Sequence, residues 1–406
     1  MAASPAPKES PNETSARGRD AVRQRLLAAA ADLLASAPPT EVTGREIAEL
    51  AGVNHGQIHH YFGSKDGLVA ATVEDSTARY HQDRLQGGLV FPLPIETSRR
   101  SPAWRTLAYL AMTGEWRRPP FEPSPVVASL AHRRAEDLGR KPSSPEVMAE
   151  VAATMALQRG WWIFQDIIEA GLAGYRPKLG KVRAEVARRS ARLIDDSIPV
   201  AKVSKRSASW FVLDTLPNNA SAPRGREEVR ERLLLAARQL LEDAPPTEVT
   251  SKEIAALAQV NHGQVHHYFE SKEHLIANSL RMGSAAVLAA LDVNPSVVPI
   301  RTEQRIPLWR TLAHLAATEE WSGEVYDHRS PVVARMVEIV ADCKSESTSS
   351  PEVQAQVAAV HALELGWAVY RDIIEHGLEP LGGELAKMRT RLAAISGRLV
   401  DDEVRA

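Results

Sequence analysis

Residues Pro38–Lys65 read PPTEVTGREIAELAGVNHGQIHHYFGSK, and Pro245–Lys272 read PPTEVTSKEIAALAQVNHGQVHHYFESK. The two stretches are identical at 22 of 28 positions. The correspondence continues downstream, where WRTLA at 104–108 returns at 309–313. Because the offset stays between 205 and 207 residues throughout, the chain contains one unit written twice and is not a solenoid of short repeats.

The composition is that of an ordinary globular protein. The chain has 406 residues, a net charge of −2 and a single cysteine, Cys343. This length predicts two to three domains, and one cysteine excludes an intrachain disulfide. No apolar run reaches the roughly 18 residues of a membrane span, so we expect a cytoplasmic protein that does not bind a membrane. A charge near zero does not by itself favour a nucleic-acid-binding protein.

The spacing of apolar residues is helical in both copies. The closing segment of the second copy has apolar residues alternately three and four positions apart, which predicts a helix that packs along another helix. These residues are Leu385, Met388, Leu392, Ile395 and Leu399. In the first copy Arg189 interrupts the same spacing. No sustained period of two indicates a strand, so the predicted fold class is all-α.

Three capping signals divide the repeated stretch into helices. They are Thr43 with Glu46, Asn54 with Gln57, and Ser64, and in the second copy Thr250 with Glu253, Asn261 with Gln264, and Ser271. They predict short helices at 44–51 and 54–62, a turn at Gly52, and a longer helix from Ser64. Two short helices joined by a tight turn form a helix-turn-helix, whose second helix usually enters the major groove.

The second predicted helix carries side chains suited to reading base edges. Amides and neutral imidazoles present both donors and acceptors, and no acidic residue occurs between Gly52 and Lys65. The polar residues of this segment are Asn54, His55, Gln57, His59, His60 and Tyr61, repeated as Asn261, His262, Gln264, His266, His267 and Tyr268. The positions of the charged residues are therefore more informative than the net charge, and we predict that the protein binds DNA.

The motif has a known counterpart. The string Ile47-Ala48-x-x-Ala51-Gly52-Val53-x-x-Gly56, followed by Phe62, Lys65 and Leu68, resembles the helix-turn-helix of the tetracycline-repressor (TetR) family and recurs from Ile254 to Leu275. The resemblance implies a DNA-binding head and a helical body that binds a small molecule. It also implies pairing through the last two helices, and a bacterial, cytoplasmic protein associated with the nucleoid.

The resemblance also implies individual contacts. By position, Arg45 and Lys252 would reach a base or phosphate, and Lys65 and Lys272 would meet phosphate near a helix N-terminus. The side chains implied to face the groove are His55, Gln57, His60, His262, Gln264 and His267.

Two positions depart from the family's pattern. His59 and His266 stand where the family usually has a phosphate-binding tyrosine. Gln259 replaces the turn glycine Gly52, at a cost of roughly 1 kcal/mol if φ is positive there.

The domains follow from the duplication. We predict a disordered arm at 1–16, DNA-binding heads at 17–70 and 224–277, helical bodies at 71–196 and 278–406, and a linker at 197–223. In the bodies the candidate ligand-binding residues are Trp104, Trp116, Trp309 and Trp321; packing in the core is the alternative explanation for these aromatic side chains.

The predicted function is a transcriptional repressor that a small-molecule effector releases from double-stranded operator DNA. The two predicted recognition helices differ only at Ile58 and Val265, so the operator should be nearly palindromic. Because both heads lie on one chain, the two units are predicted to pack as an intramolecular pseudo-dimer. Further pairing of two chains stays open.

Two alternatives belong to other functional classes. One is a protein-interaction module that keeps the helix-turn-helix only as a structural unit. The other is a metal-dependent enzyme using the pairs His55 with His59 and His262 with His266, which are four residues apart. The glutamate of an HExxH motif and a third ligand are missing from the sequence, and no catalytic constellation stands out. We therefore predict no catalytic residues, no metal and no cofactor.

Overall fold

A computed structural model of the chain describes residues 11–86, 103–117, 123–193, 195, 223, 225–242, 244–293, 307–318 and 330–400. The regular structure of these residues is entirely helical, which confirms the predicted fold class. Among them, no helix combines the length and the apolar character that crossing a membrane requires.

The described part of each copy contains eight α-helices in the same order. Those of the first copy are α1 (Pro11–Leu34), α2 (Gly44–Leu50), α3 (Gly56–Phe62), α4 (Lys65–Gln86), α5 (Trp104–Thr113), α6 (Pro125–Leu138), α7 (Pro145–Leu172) and α8 (Leu179–Arg192). Those of the second are α9 (Arg226–Leu240), α10 (Ser251–Leu257), α11 (Gly263–Phe269), α12 (Lys272–Val293), α13 (Pro307–Thr318), α14 (Pro331–Lys344), α15 (Pro351–Leu378) and α16 (Leu385–Ser396). The duplication therefore extends from the sequence to the fold.

The first helix overlaps the predicted N-terminal arm. Helix α1 begins at Pro11, inside the predicted disordered segment 1–16. Proline is compatible with the first helical turn, because the N–H group that it lacks would have no partner within the helix. Residues 1–10 lie outside the described part of the chain, as does the predicted linker 197–223 apart from Pro223.

Each head has a small core of its own, built from the same positions. Apolar side chains from the first, second, third and fourth helix of the head meet there and are almost completely buried. They are Leu26, Ile47, Ile58 and Leu68 in the first head and Leu233, Ile254, Val265 and Leu275 in the second. This core fixes α3 against α2, and α11 against α10, so that each recognition helix presents one constant face to solvent.

The bodies of the two copies share a single core, in which α7 and α15 lie side by side. A Cβ built on Gly160 of α7 would lie 2.8 Å from Gly366 Cα of α15, and one built on Gly366 would lie 2.8 Å from Gly160 Cα. No ordinary side chain fits at either position, because the neighbouring atoms are rigid backbone. The two helices touch through glycine.

Two further glycines admit a side chain of the other copy. Built Cβ atoms on Gly171 and Gly377 would lie 2.8 Å from the Cβ atoms of Val333 and Val127, respectively. The two contacts occupy equivalent positions in the two copies. Small residues thus let α7 and α15 pack closely against α14 and α6.

The C-terminal ends of the two copies exchange hydrogen bonds. Arg189 Nη1 donates to Leu399 O at 3.3 Å, and Arg398 Nη1 donates to Leu193 O at 2.6 Å. The two leucines are equivalent, whereas the position equivalent to Arg189 holds Ile395. Arg189 interrupts the predicted apolar spacing because it is a buried contact between the copies.

Replacing Gly160 by alanine tests the contact between α7 and α15. The added Cβ meets backbone that cannot move locally, so we expect Gly160→Ala to lower the free energy of unfolding by about 1–3 kcal/mol. The matched control is Gly180→Ala in α8, where a built Cβ has no neighbour within 4 Å. Thermal or urea unfolding measures both; equal midpoints for the two variants would contradict the close approach.

Candidate DNA-binding site

The first of the two short helices is fixed by a capping box in both heads. The Glu46 N–H group donates to Thr43 Oγ1 at 3.2 Å, and the Thr43 N–H group donates to Glu46 Oε2 at 2.8 Å. Thr250 and Glu253 repeat both distances, 3.2 and 2.8 Å. The hydrogen bonds from Thr43 lower the pKa of Glu46. This predicted start of α2 and α10 is confirmed.

The start of the recognition helix differs from the prediction. Asn54 Oδ1 accepts a hydrogen bond from the Gly56 N–H group at 2.8 Å, and the Gln57 N–H group donates to Asn54 O at 2.9 Å. Helix α3 thus begins at Gly56, and the predicted capping box of Asn54 with Gln57 is wrong. His55 already has helical dihedral angles (φ −51°, ψ −36°), so the nearest N–H group to the Asn54 side chain belongs to the residue two positions on.

The backbone turns through the left-handed region after each short helix. In the first head Gly52 (φ 62°) and Gly63 (φ 73°) occupy these positions, whereas the second head has Gln259 (φ 57°) and Glu270 (φ 65°). The strain predicted at Gln259 is therefore present. Glu270 is strained in the same way and was not predicted to be, although its replacement of a glycine is visible in the aligned repeats. Each non-glycine residue costs roughly 1 kcal/mol here.

The candidate contact residues are all accessible. Arg45, Asn54, His55, His59 and His60 are exposed, and Gln57, Tyr61 and Lys65 are half-buried. The equivalent residues of the second head, Lys252, Asn261, His262, His266, His267, Gln264, Tyr268 and Lys272, fall in the same classes. Apart from Arg45, which is replaced by Lys252, the two heads therefore display the same candidate side chains.

His59 is held by the end of its own helix. Its Nδ1 lies 3.1 Å from Gly63 O, and His266 Nδ1 lies 2.9 Å from Glu270 O. A carbonyl oxygen only accepts, so Nδ1 carries the proton and Nε2 of the neutral ring is an acceptor. A hydrogen bond from Nε2 to a phosphate oxygen would therefore require the imidazolium form. In this respect the two histidines differ from a tyrosine, whose neutral hydroxyl group can donate a hydrogen bond to phosphate.

Lys65 has a structural role that the sequence did not reveal. Its Nζ donates to Pro39 O at 2.8 Å and to Val42 O at 3.2 Å, which ties the loop before α2 to the start of α4. Lys272 makes the equivalent bonds to Pro246 O (2.9 Å) and Val249 O (3.1 Å). Two of the three ammonium donors are thus used within the head. The phosphate contact that the family resemblance implies stays a prediction, and only the third ammonium donor is available for it.

Comparison with known proteins agrees with this geometry. The model of the family "Bacterial regulatory proteins, tetR family" matches residues 26–72 and again 233–278, which run from the first helix of each head into the fourth. The chain belongs to the tetR family. It carries the family's DNA-binding domain twice and is a DNA-binding transcriptional regulator, not an enzyme.

Curated relatives of this tetR-family chain have the length of one copy. They include the HTH-type transcriptional repressor Rv3405c of Mycobacterium tuberculosis and the HTH-type transcriptional regulator Mb3439c of Mycobacterium bovis. Each is 28% identical over 167 residues, which is 40% of this chain and 85% of the relative. The duplication accordingly makes one chain from two regulator-sized units.

Of the candidate ligand-binding tryptophans, Trp104 belongs to the shared core of the bodies and Trp116 packs against it. Trp104 is 5% exposed in the shared core, with the Arg105 guanidinium carbon 4.8 Å from its ring centroid. Trp116 is half-buried, 5.0 Å from the ring of His376 in the other copy. The Trp309 side chain and Trp321 lie outside the described part. Their role as ligand contacts stays a prediction.

Within each histidine pair the two rings contact each other, and they do not surround a common point. The ring centroids of His55 and His59 are 5.6 Å apart in an edge-to-face arrangement, and those of His262 and His266 are 5.9 Å apart. In the part of the chain that the structure describes, no group of three or more His, Cys, Asp or Glu side chains is placed to hold a metal ion.

Relief of the backbone strain should stabilise the second head. We expect Gln259→Gly and Glu270→Gly each to slow hydrogen exchange in α10 and α11, as a gain of about 1 kcal/mol requires. Gln259→Ala is the matched control, because it removes the long side chain but keeps a Cβ at positive φ. A gain from alanine equal to that from glycine would show that strain is not the cause.

Mutation tests the structural role of Lys65, with the exposed residue Arg45 as the comparison. Lys65→Met leaves two carbonyl groups without their donor, so it should lower the stability of the first head by about 1–3 kcal/mol. Arg45→Met, at an exposed position, should leave the unfolding midpoint unchanged and weaken DNA binding. Thermal unfolding and DNA titration of both variants decide the matter; an unchanged midpoint for Lys65→Met would contradict the structural role.

Proposed function

We propose that the chain is a repressor that binds a nearly palindromic operator as an intramolecular pseudo-dimer, and that a small molecule releases it. The observation that carries this proposal is the presence of two equivalent heads on bodies with one shared core. In the bacterial cytoplasm such a chain would act at the nucleoid.

The two recognition helices support a near-palindrome. They read GQIHHYF in α3 and GQVHHYF in α11, and the single difference, Ile58 against Val265, is buried at 1% and 0% exposure. The side chains that face solvent are therefore identical. His55, Gln57 and His60, with their equivalents, are the proposed base-reading groups, because such side chains recognise base edges through paired donors and acceptors.

The two heads need not bind equally well. Gly63 of the first head corresponds to Glu270, which is exposed at the end of α11. A carboxylate at that place repels phosphate, and the strained backbone weakens the local fold. We infer that the first head contributes more of the binding free energy than the second.

The packing of the bodies supports an intramolecular pair. Gly160 meets Gly366, and the arginine hydrogen bonds join the ends of the copies. A tether gives two linked modules an effective concentration of about millimolar, so the heads pair without a second chain. The paired heads would then fit half-sites one helical turn, or a multiple of it, apart.

Helix α4 supports the coupling between body and head. It begins at Lys65 in the head and continues to Tyr80, whose hydroxyl accepts from Gln158 Nε2 of α7 at 2.7 Å. The Tyr80 ring is also 4.9 Å from the ring of Trp162. An effector that moves α7 therefore shifts α4, and with it the head. Coupling energies of about 1–3 kcal/mol are typical of such transitions.

Titration of labelled operator DNA tests the proposal. His60→Ala combined with His267→Ala should lower affinity by about tenfold or more without changing the unfolding midpoint. Ile58→Val is the control, since it only makes α3 identical to α11 and should leave affinity unchanged. If no promoter DNA from the source genome is bound even at low salt, the proposal fails and an interaction module becomes the better account.

A further inference from the structure

One arginine in the interface between the copies has no anionic partner among the residues that the structure describes. Arg159 of α7 is 2% exposed, and its guanidinium carbon lies 5.6 Å from the ring centroid of Tyr370 in α15. Within the described residues Arg159 makes no ion pair, and its Nη1 has no hydrogen-bond partner. A buried charge without a counter-ion is strongly unfavourable. Burial lowers the pKa of Arg159 to about 10, so the group still carries its charge at neutral pH.

Other arginines of the bodies have the partner that Arg159 lacks. Arg134, also buried, pairs with Glu150 at 2.6 Å. Arg183 pairs with Glu169 through two hydrogen bonds of 2.7 Å each, and Arg389 with Glu375 through two of 2.6 Å. Arg159 thus differs from these three arginines, each of which has an anionic partner.

Packing does not explain this difference. The duplication places Leu365 at the position equivalent to Arg159 and Phe164 at the position equivalent to Tyr370. Both are apolar and buried, at 4% and 0% exposure. Of these two equivalent places in the interface, one holds a leucine and a phenylalanine and the other holds an arginine and a tyrosine. Arg159 therefore has a role in the first copy that its equivalent, Leu365, does not have in the second.

Two buried side chains of α15 can donate hydrogen bonds. Trp367 lies one turn before Tyr370 on α15, is 1% exposed, and has an Nε1 group without a partner in the described residues. Burial raises the pKa of Tyr370, so its hydroxyl keeps its proton and can donate. A positive charge with uncharged donors and aromatic walls favours an anion that has an apolar body.

We propose that Arg159, Tyr370 and Trp367 form a binding site between the two copies for a small hydrophobic carboxylate. The planar guanidinium binds a carboxylate through two parallel hydrogen bonds, and the aromatic side chains contact the apolar part. As the effector site this proposal rests on the proposed function, since Gln158, next to Arg159, bonds Tyr80 of α4. The asymmetry predicts one such site per chain.

Calorimetric titration of the full-length chain with benzoate, at constant ionic strength and without DNA, tests the site. We expect one benzoate bound per chain, and binding of uncharged benzamide at least tenfold weaker. Arg159→Leu, which copies the residue of the second unit, should abolish binding while leaving the ligand-free unfolding midpoint equal to or above that of the wild type. Tyr370→Phe, which copies Phe164, should weaken binding severalfold in a fold that tolerates phenylalanine there.

The control variant is Arg183→Leu, which removes a half-exposed, paired arginine and should leave benzoate binding unchanged. No binding to the wild type, equal binding of benzamide, or undiminished binding to both Arg159→Leu and Tyr370→Phe would overturn the site. Operator binding of Arg159→Leu, measured without benzoate, separates the two proposals. It should equal that of the wild type, whereas loss of operator binding by every form, the wild type included, would be a failure of the proposed function.

Discussion

The contact between Gly160 of α7 and Gly366 of α15 is the constraint on which the rest of the structure depends. Because neither helix carries a side chain there, their backbones touch, and the bodies of the two copies bury their apolar residues in one core. Helices α4 and α12 connect each head to its body. Two glycines at equivalent positions thus bring the bodies of the two copies into contact, and the proposed pairing of the heads rests on this contact.

The sequence predicted the helical class, the helix-turn-helix and its first capping box, because these depend on local spacing and on residues that lie three or four positions apart. It did not predict the bonds of Lys65 to the carbonyl groups of Pro39 and Val42, which join residues 26 and 23 positions apart. Nor did it predict that Asn54 bonds Gly56, because that choice follows from the helical dihedral angles of His55. In the sequence Arg189 only interrupts an apolar spacing, whereas in the structure it makes a contact between the copies. The roles of Lys65 and Arg189 depend on partners that are distant in sequence.

Duplication within one chain permits each half to change alone. In a dimer of identical chains every substitution appears twice, whereas here Arg159 meets Tyr370 on one side while Leu365 and Phe164 stand on the other. The heads have diverged in the same way, since the glycines of the first correspond to Gln259 and Glu270 of the second at positive φ. The side chains proposed to read bases have not diverged. The two copies thus keep the proposed DNA-reading surface the same and differ in the residues around it.

We propose that one chain occupies both half-sites of its operator. Sedimentation of the purified chain with a palindromic operator duplex, compared with the same duplex after one half-site has been scrambled, measures this directly. We expect a complex of one chain with one intact duplex, and much weaker binding to the scrambled one. Two chains on each intact duplex, or equal affinity for both duplexes, would contradict it.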